Sequence, residues 1–146
     1  MSDVSKRFEQ LVKSVYKKFV DQGFHLPEKT PQGIKVGRVL IRSNGSLKDI
    51  IVNEQVIYEQ ISLNSVAIRI ANELASNKNS RICKDLIEID REYSKHFIDS
   101  KFHVDNYHKA INANNSERAD ILWTRYEIAK EKALSAKSRA EDLAGF

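Results

Sequence analysis

The sequence predicts an α+β fold: a small three-stranded antiparallel meander packed by two helices, followed by a long antiparallel helical hairpin. Three observations predict it. Ala119, Leu122, Tyr126, Ala129, Ala133, Ala136, Ala140 and Leu143 recur at alternating steps of three and four, the spacing of a helical seam held over more than three heptads. Ile34 to Glu59 is rich in β-branched residues and is cut by short turn signals. Ala113-Asn114-Asn115 is a polar break between two long helical patterns, short enough to make them antiparallel neighbours.

The N-terminal helix is expected from about Asp3 to Gln22. Val4, Phe8, Leu11, Val15 and Phe19 line one face, and Gly23 can end it. His25 to Gly33 reads as a loop, because two prolines and a glycine block regular structure. The first strand runs from Ile34 to Arg42. Its alternation changes phase at Gly37, which a bulge would explain. Ser43-Asn44-Gly45-Ser46 is a hairpin turn, with Asn-Gly suited to the positive φ angles of type I′. Leu47–Val52 is the second strand, Asn53-Glu54 a turn, and Gln55–Glu59 the third strand. A sheet this small needs helices on one face.

A helix from Ser62 or Asn64 to Ser76 presents Val66, Ala67, Ile70, Ala71 and Leu74. The polar run Ser76 to Ser80 joins the halves, giving a helix–meander–helix module over 1–79 and the hairpin over 80–146, in one continuous folding unit. The first hairpin helix runs from about Ser80 to Asn112, with Ile82, Leu86, Ile89, Tyr93, Phe97, Ser100, Val104, Tyr107 and Ile111 on its seam. At 1.5 Å per residue it is about 50 Å long. The second runs from about Ser116 to Leu143 and is capped by Asn115. Its alanines receive the larger side chains of the first helix, large against small.

The bulk numbers narrow the function. The chain has 146 residues, 41% hydrophobic and 30% charged, enough for one domain with a core. No apolar run is long enough to span a membrane, and the N-terminus lacks the apolar stretch of a signal peptide. Cys83 stands alone, so neither a disulfide framework nor a cysteine zinc site is expected. These features predict a cytoplasmic protein. Residues 1–79 carry twelve Lys/Arg against eight Asp/Glu, and residues 80–146 carry twelve of each. The whole net charge of +4 therefore lies in the first half.

No catalytic constellation emerges, and no metal or other cofactor is expected. His96, Asp99 and His103 share a stripe, but the two histidines are about 10.5 Å apart along the helix, too far for one ion. Asp85, Glu88 and Glu92 lie among Lys84, Arg91 and Lys95, the pattern of a solvated face. Two binding functions stay open. On the second hairpin helix, Ile121, Trp123, Ile128 and Leu134 fall off the seam around more than one face, so the hairpin needs a further neighbour. They are the candidate interface of a homo-oligomer or of contacts with other assembly proteins, with Trp123 as the anchor. The alternative is a nucleic-acid-binding accessory protein. Its candidates are Lys35, Arg38, Arg42 and Lys48, basic residues on strands that could follow a phosphate backbone. Tyr58 is the only aromatic among those strands, which furnishes a base-stacking platform poorly.

The segment from Gly33 through Leu74, followed by Ala119-Asp120-Ile121-Leu122-Trp123-Thr124-Arg125-Tyr126-Glu127, resembles small uncharacterised proteins of T4-like marine bacteriophages. That resemblance implies a viral accessory, assembly or virion protein, located in the host cytoplasm or the virion. It implies no site residues.

Overall fold

A computed structural model describes residues 24–76 and 80–145, together with Gln10. The expected N-terminal helix over Asp3–Gln22 therefore lies outside the described residues, apart from Gln10, which is helical. The rest is α+β, with a five-stranded antiparallel sheet in place of the expected three strands. The strands are β1 (Glu28–Thr30), β2 (Gly33–Val36), β3 (Val39–Asn44), β4 (Leu47–Val52) and β5 (Gln55–Ile61). Each pairs with its sequence neighbours, so the sheet is a simple meander.

Turn chemistry explains both extra strands. Gly37 is not a bulge but the first central residue of a two-residue hairpin, because Val36 pairs with Val39 across it. Its φ of 58° is the positive value that a type II′ turn asks for at that position. The break in alternation marks a reversal of the chain. The expected loop at His25–Gly33 contains β1, because its prolines fall where no ladder hydrogen bond is needed. Pro27 precedes the strand, and Pro31 sits in the turn between Thr30 and Gly33, which pair. Gly33 is required on steric grounds: a Cβ there would lie 2.3 Å from the Ile41 carbonyl oxygen.

The other turns are as short as expected, but the type I′ geometry expected at Asn44-Gly45 is not found there. Asn44 pairs with Leu47, so Gly45 and Ser46 are the central residues, and Gly45 alone has positive φ. Asn53 and Glu54 both have positive φ, 51° and 65°, the type I′ pattern. β5 continues to Ile61 past an irregularity in its register with β4, where Gln60 takes a φ of 58°.

Three helices follow: α1 (Asn64–Ala75), α2 (Ser80–Asn112) and α3 (Ser116–Ala144). Helix α1 touches four strands on one side and both long helices on the other. Its central position explains why Ser65, Ile68, Asn72 and Glu73 are buried beside the expected apolar face. Val36, Val39, Ile41 and Ile50 from the sheet, Val66 and Ile70 from α1, Cys83 and Leu86 from α2, and Ala140 and Ala144 from α3 form one core. A second, smaller core of Ala110, Ala119 and Leu122, with Tyr107 against it, closes the far end of the hairpin.

The long helices begin and end where the sequence places them, within one residue. Asn115 caps α3 by accepting the Arg118 N–H at 3.2 Å. The seam drifts at its ends. Ala119, Leu122, Ala129, Ala133, Ala136 and Ala140 are buried, but Leu143 is exposed and Ala144 is buried in its place. On α2, Ala110 is buried where Ile111 was expected, and Asp90 where Ile89 was.

Candidate functional site

Among the described residues, the hairpin is fixed at its base and uncovered beyond it. Asp90 of α2 accepts the backbone N–H of Leu63 at 2.8 Å and of Ser62 at 3.0 Å. The Ser94 hydroxyl meets that of Ser62. Arg69 of α1 donates to the Ala144 carbonyl at the end of α3 at 2.9 Å. From Ser94 to the end of α2 there are eighteen more residues, about 27 Å of helix. This outer part of the hairpin carries large apolar side chains that the rest of the described chain leaves uncovered.

Two contacts set the helix–helix register. Arg139 meets Glu92 at 2.7 Å, and the Trp123 and Tyr107 rings lie 5.0 Å apart. The paired numbers sum to 231 and 230, so position 134 falls across from position 97. The four expected interface residues divide accordingly. Trp123 and Leu134 are eleven residues apart, about three turns, and share one flank with Phe97. Ile121 and Ile128 are seven apart, about two turns, on the opposite flank, which also carries Arg139. All four are exposed, from 41% for Trp123 to 53% for Ile121 and Leu134. Trp123 is also tied inward, with its ring 5.1 Å from that of Tyr126.

Sequence reasoning missed four further exposed residues on α2: Phe97, Ile98, Phe102 and Ile111. Phe97 was assigned to the seam. It lies at the seam's edge, where it stacks on Tyr93 at 5.7 Å under the Lys101 ammonium. Ile98 and Phe102 are 65% and 63% exposed on the helix face turned away from α3. Their spacing of four, off the seam, was a signal available in the sequence.

The basic set of the first half is not brought together. Lys35 and Arg42 are exposed on the outer face of the sheet, and Arg42 lies 3.9 Å from Asp49. Arg38 is exposed in the β2–β3 turn and donates to the Leu74 carbonyl at the end of α1. Lys48 must be withdrawn from the set. It shares the inner face with Ile50 and Val52, is 4% exposed, and donates to the Ser62 carbonyl at 3.1 Å. Burial lowers its pKa, and the nearby Asp90 charge opposes that shift. A cleft of about 370 Å³ beside it is lined by Lys29, Thr30, Gln32, Arg42 and Ser43 among others.

The histidine stripe is divided between half-buried and exposed positions. His96 is half-buried and 4.0 Å from Glu92, Asp99 is exposed, and the buried Nδ1 of His103 has no hydrogen-bond partner. Among the described residues, no three His, Cys, Asp or Glu side chains are grouped to hold an ion. Cys83 is buried in the main core, and burial pushes its thiol up to about 11. No described helix is long and apolar enough to cross a membrane.

No family model matches the chain, and comparison with curated proteins and with solved structures returns no significant match.

Proposed function

We propose that this chain is a self-associating interaction protein, without catalysis of its own, that uses the projecting hairpin as its contact surface. One observation carries the reading. Among the described residues, nine of the twelve large apolar side chains left exposed lie on α2 and α3, from Phe97 to Leu143. Scattered exposed apolar residues are ordinary, but their concentration on one projecting element is the mark of an interaction surface. The Tyr107, Trp123 and Tyr126 rings, packed on one another at tilted angles, support it, because they hold an aromatic anchor in place before a partner arrives. The proposed setting is a viral accessory or assembly component, in keeping with the resemblance described above.

Sedimentation equilibrium across the micromolar range tests the reading. The expected result is a reversible oligomer, weakened when Trp123, Ile128 or Leu134 is replaced by Ser in a chain that remains helical. A monomer throughout would refute it. If that monomer bound single-stranded DNA in a salt-sensitive way, function would move to Lys35 and Arg42.

A further inference from the structure

At the end of the sheet that carries the β1–β2 and β3–β4 turns, the inner face changes from apolar to basic. We infer that the cleft there binds a small organic phosphate, with Lys48 and Lys29 holding the anion and Ile34 and Ile41 supporting the apolar body attached to it. The inference is independent of the hairpin and goes beyond the contact function proposed above.

Strand register places the side chains. Lys29 stands opposite Ile34, and Ile34 opposite Ile41, so the three form one row across the inner face. Ser43 lies two residues beyond Ile41, on the same face, and stands opposite Lys48. Lys29 on β1 and Lys48 on β4 are three strand spacings apart, about 14 Å, with the isoleucines between them. These residues line a cleft of about 370 Å³, within the size range of small-molecule sites. Among the described residues, no Asp or Glu lines it. Arg42 also borders the cleft, but its guanidinium lies 3.9 Å from Asp49 on the outer face, so the two lysines carry the charge.

Lys48 supplies the reason for an anion. It is 4% exposed, and a buried charge is ordinarily paired. Its ammonium donates to two neutral acceptors, the Ser62 carbonyl at 3.1 Å and the Ser46 carbonyl at 3.4 Å. Among the described residues, no carboxylate lies within 4 Å of it. Asp49, next in sequence, points to the opposite face and accepts the Gln60 N–H at 3.1 Å. Asp90 acts on Lys48 from further away, and both its oxygens already accept from the Ser62 and Leu63 N–H groups. Burial accordingly lowers the Lys48 pKa against the pull of Asp90. A phosphate in the cleft completes the pairing, within reach of the Ser43 hydroxyl and of Lys29 at the rim. Ile34, Ile41 and Pro31 suit an aliphatic body, and no aromatic ring lines the cleft to stack a base. The recess of Lys48 favours a free small molecule over the backbone of a nucleic acid.

The test is a nuclear magnetic resonance titration of the isotope-labelled chain with n-butyl phosphate, with n-butanol as the neutral control. Saturable shifts are expected at the amides of residues 29–34 and 41–48, with a dissociation constant of about 1 mM or below. Butanol should give no such shifts, and inorganic phosphate should bind about tenfold more weakly for want of the apolar body. Ser43→Glu sets a carboxylate opposite Lys48 on an exposed position that tolerates it. It is expected to weaken n-butyl phosphate about tenfold or more and to raise the melting temperature, because the chain then carries its own counter-charge. Ser43→Gln, neutral and of the same size, should bind within about threefold of the wild type and gain no stability. Three results would overturn the inference: no saturable shift up to about 20 mM ligand, shifts confined to other parts of the chain, or equal affinity in the wild type and Ser43→Glu. A thymidine oligonucleotide that moves the same amides more tightly per phosphate than n-butyl phosphate would overturn the small-molecule assignment and return the cleft to the nucleic-acid alternative.

Discussion

The Asp90 carboxylate accepts the backbone N–H of Leu63 at 2.8 Å, joining the hairpin to the start of α1. Leu63 occupies the N-cap of α1, and its side chain cannot cap. A side chain from 27 residues further along the chain supplies the anion instead, at the positive end of the helix dipole. The same carboxylate also holds the Ser62 N–H, and Lys48 lies near enough to act on its charge. One buried polar group therefore fixes sheet, helix and hairpin against each other.

Replacing Asp90 by Ala should cost about 3–5 kcal/mol, because it strands two backbone donors and leaves the buried Lys48 ammonium less compensated. Chemical denaturation measures it. A loss below about 1 kcal/mol would mean that water reaches the junction and replaces the carboxylate.

Asp90 also makes a pH prediction. Burial raises its pKa above the usual 3.8, with the Ser62 and Leu63 hydrogen bonds and the Lys48 charge opposing. A carboxyl that holds its proton more tightly when folded contributes most stability when protonated, so its contribution falls as pH rises from 3.8 through the folded value. Measured against Asp90→Asn, which cannot titrate, the wild type should gain relative stability on acidification through that window. A relative loss on acidification would show that the hydrogen bonds to the charged form outweigh burial.

Two glycines share a positive φ, and Gly33 adds a steric demand to it. Gly33→Ala meets the Ile41 carbonyl at 2.3 Å and forces β2 away from β3, at a cost of about 2 kcal/mol or more. Gly45→Ala meets nothing within 4 Å, so only the positive φ is strained, costing about 1 kcal/mol. Thermal melts of both variants check the order; equal losses would contradict the close approach at Gly33.

Ala133→Leu should destabilise the hairpin by about 1–3 kcal/mol, because Ala133 is buried midway along the α2–α3 contact. An unchanged melting temperature would mean that the helices separate readily there.

Cys83 should resist thiol reagents in the folded protein. It is buried, and a thiol pushed up to about 11 holds little thiolate near neutral pH. Labelling at the rate of the unfolded chain would contradict its place in the core.

The hairpin was legible because its signals are local: a three-four spacing, an Asn-rich break, and a capping Asn115. The sheet was less so. Gly37 reads equally as a bulge or a turn until Val36 is seen to pair with Val39, which is a tertiary fact. Lys48 looked like a surface cation by type, yet its alternation with Ile50 and Val52 already placed it on the inner face. Asp90 had no local signal, since its partners are backbone groups far off in sequence. Of the interaction surface, the sequence showed the residues of α3 but not Ile98 and Phe102, which were overshadowed by the seam running along the same helix.

Self-association through the hairpin is tested most directly by sedimentation equilibrium of the unaltered chain from low to high micromolar concentration. A reversible equilibrium between monomer and a larger assembly, shifting with concentration across the micromolar range, is predicted. A single monomeric mass at every concentration would contradict it.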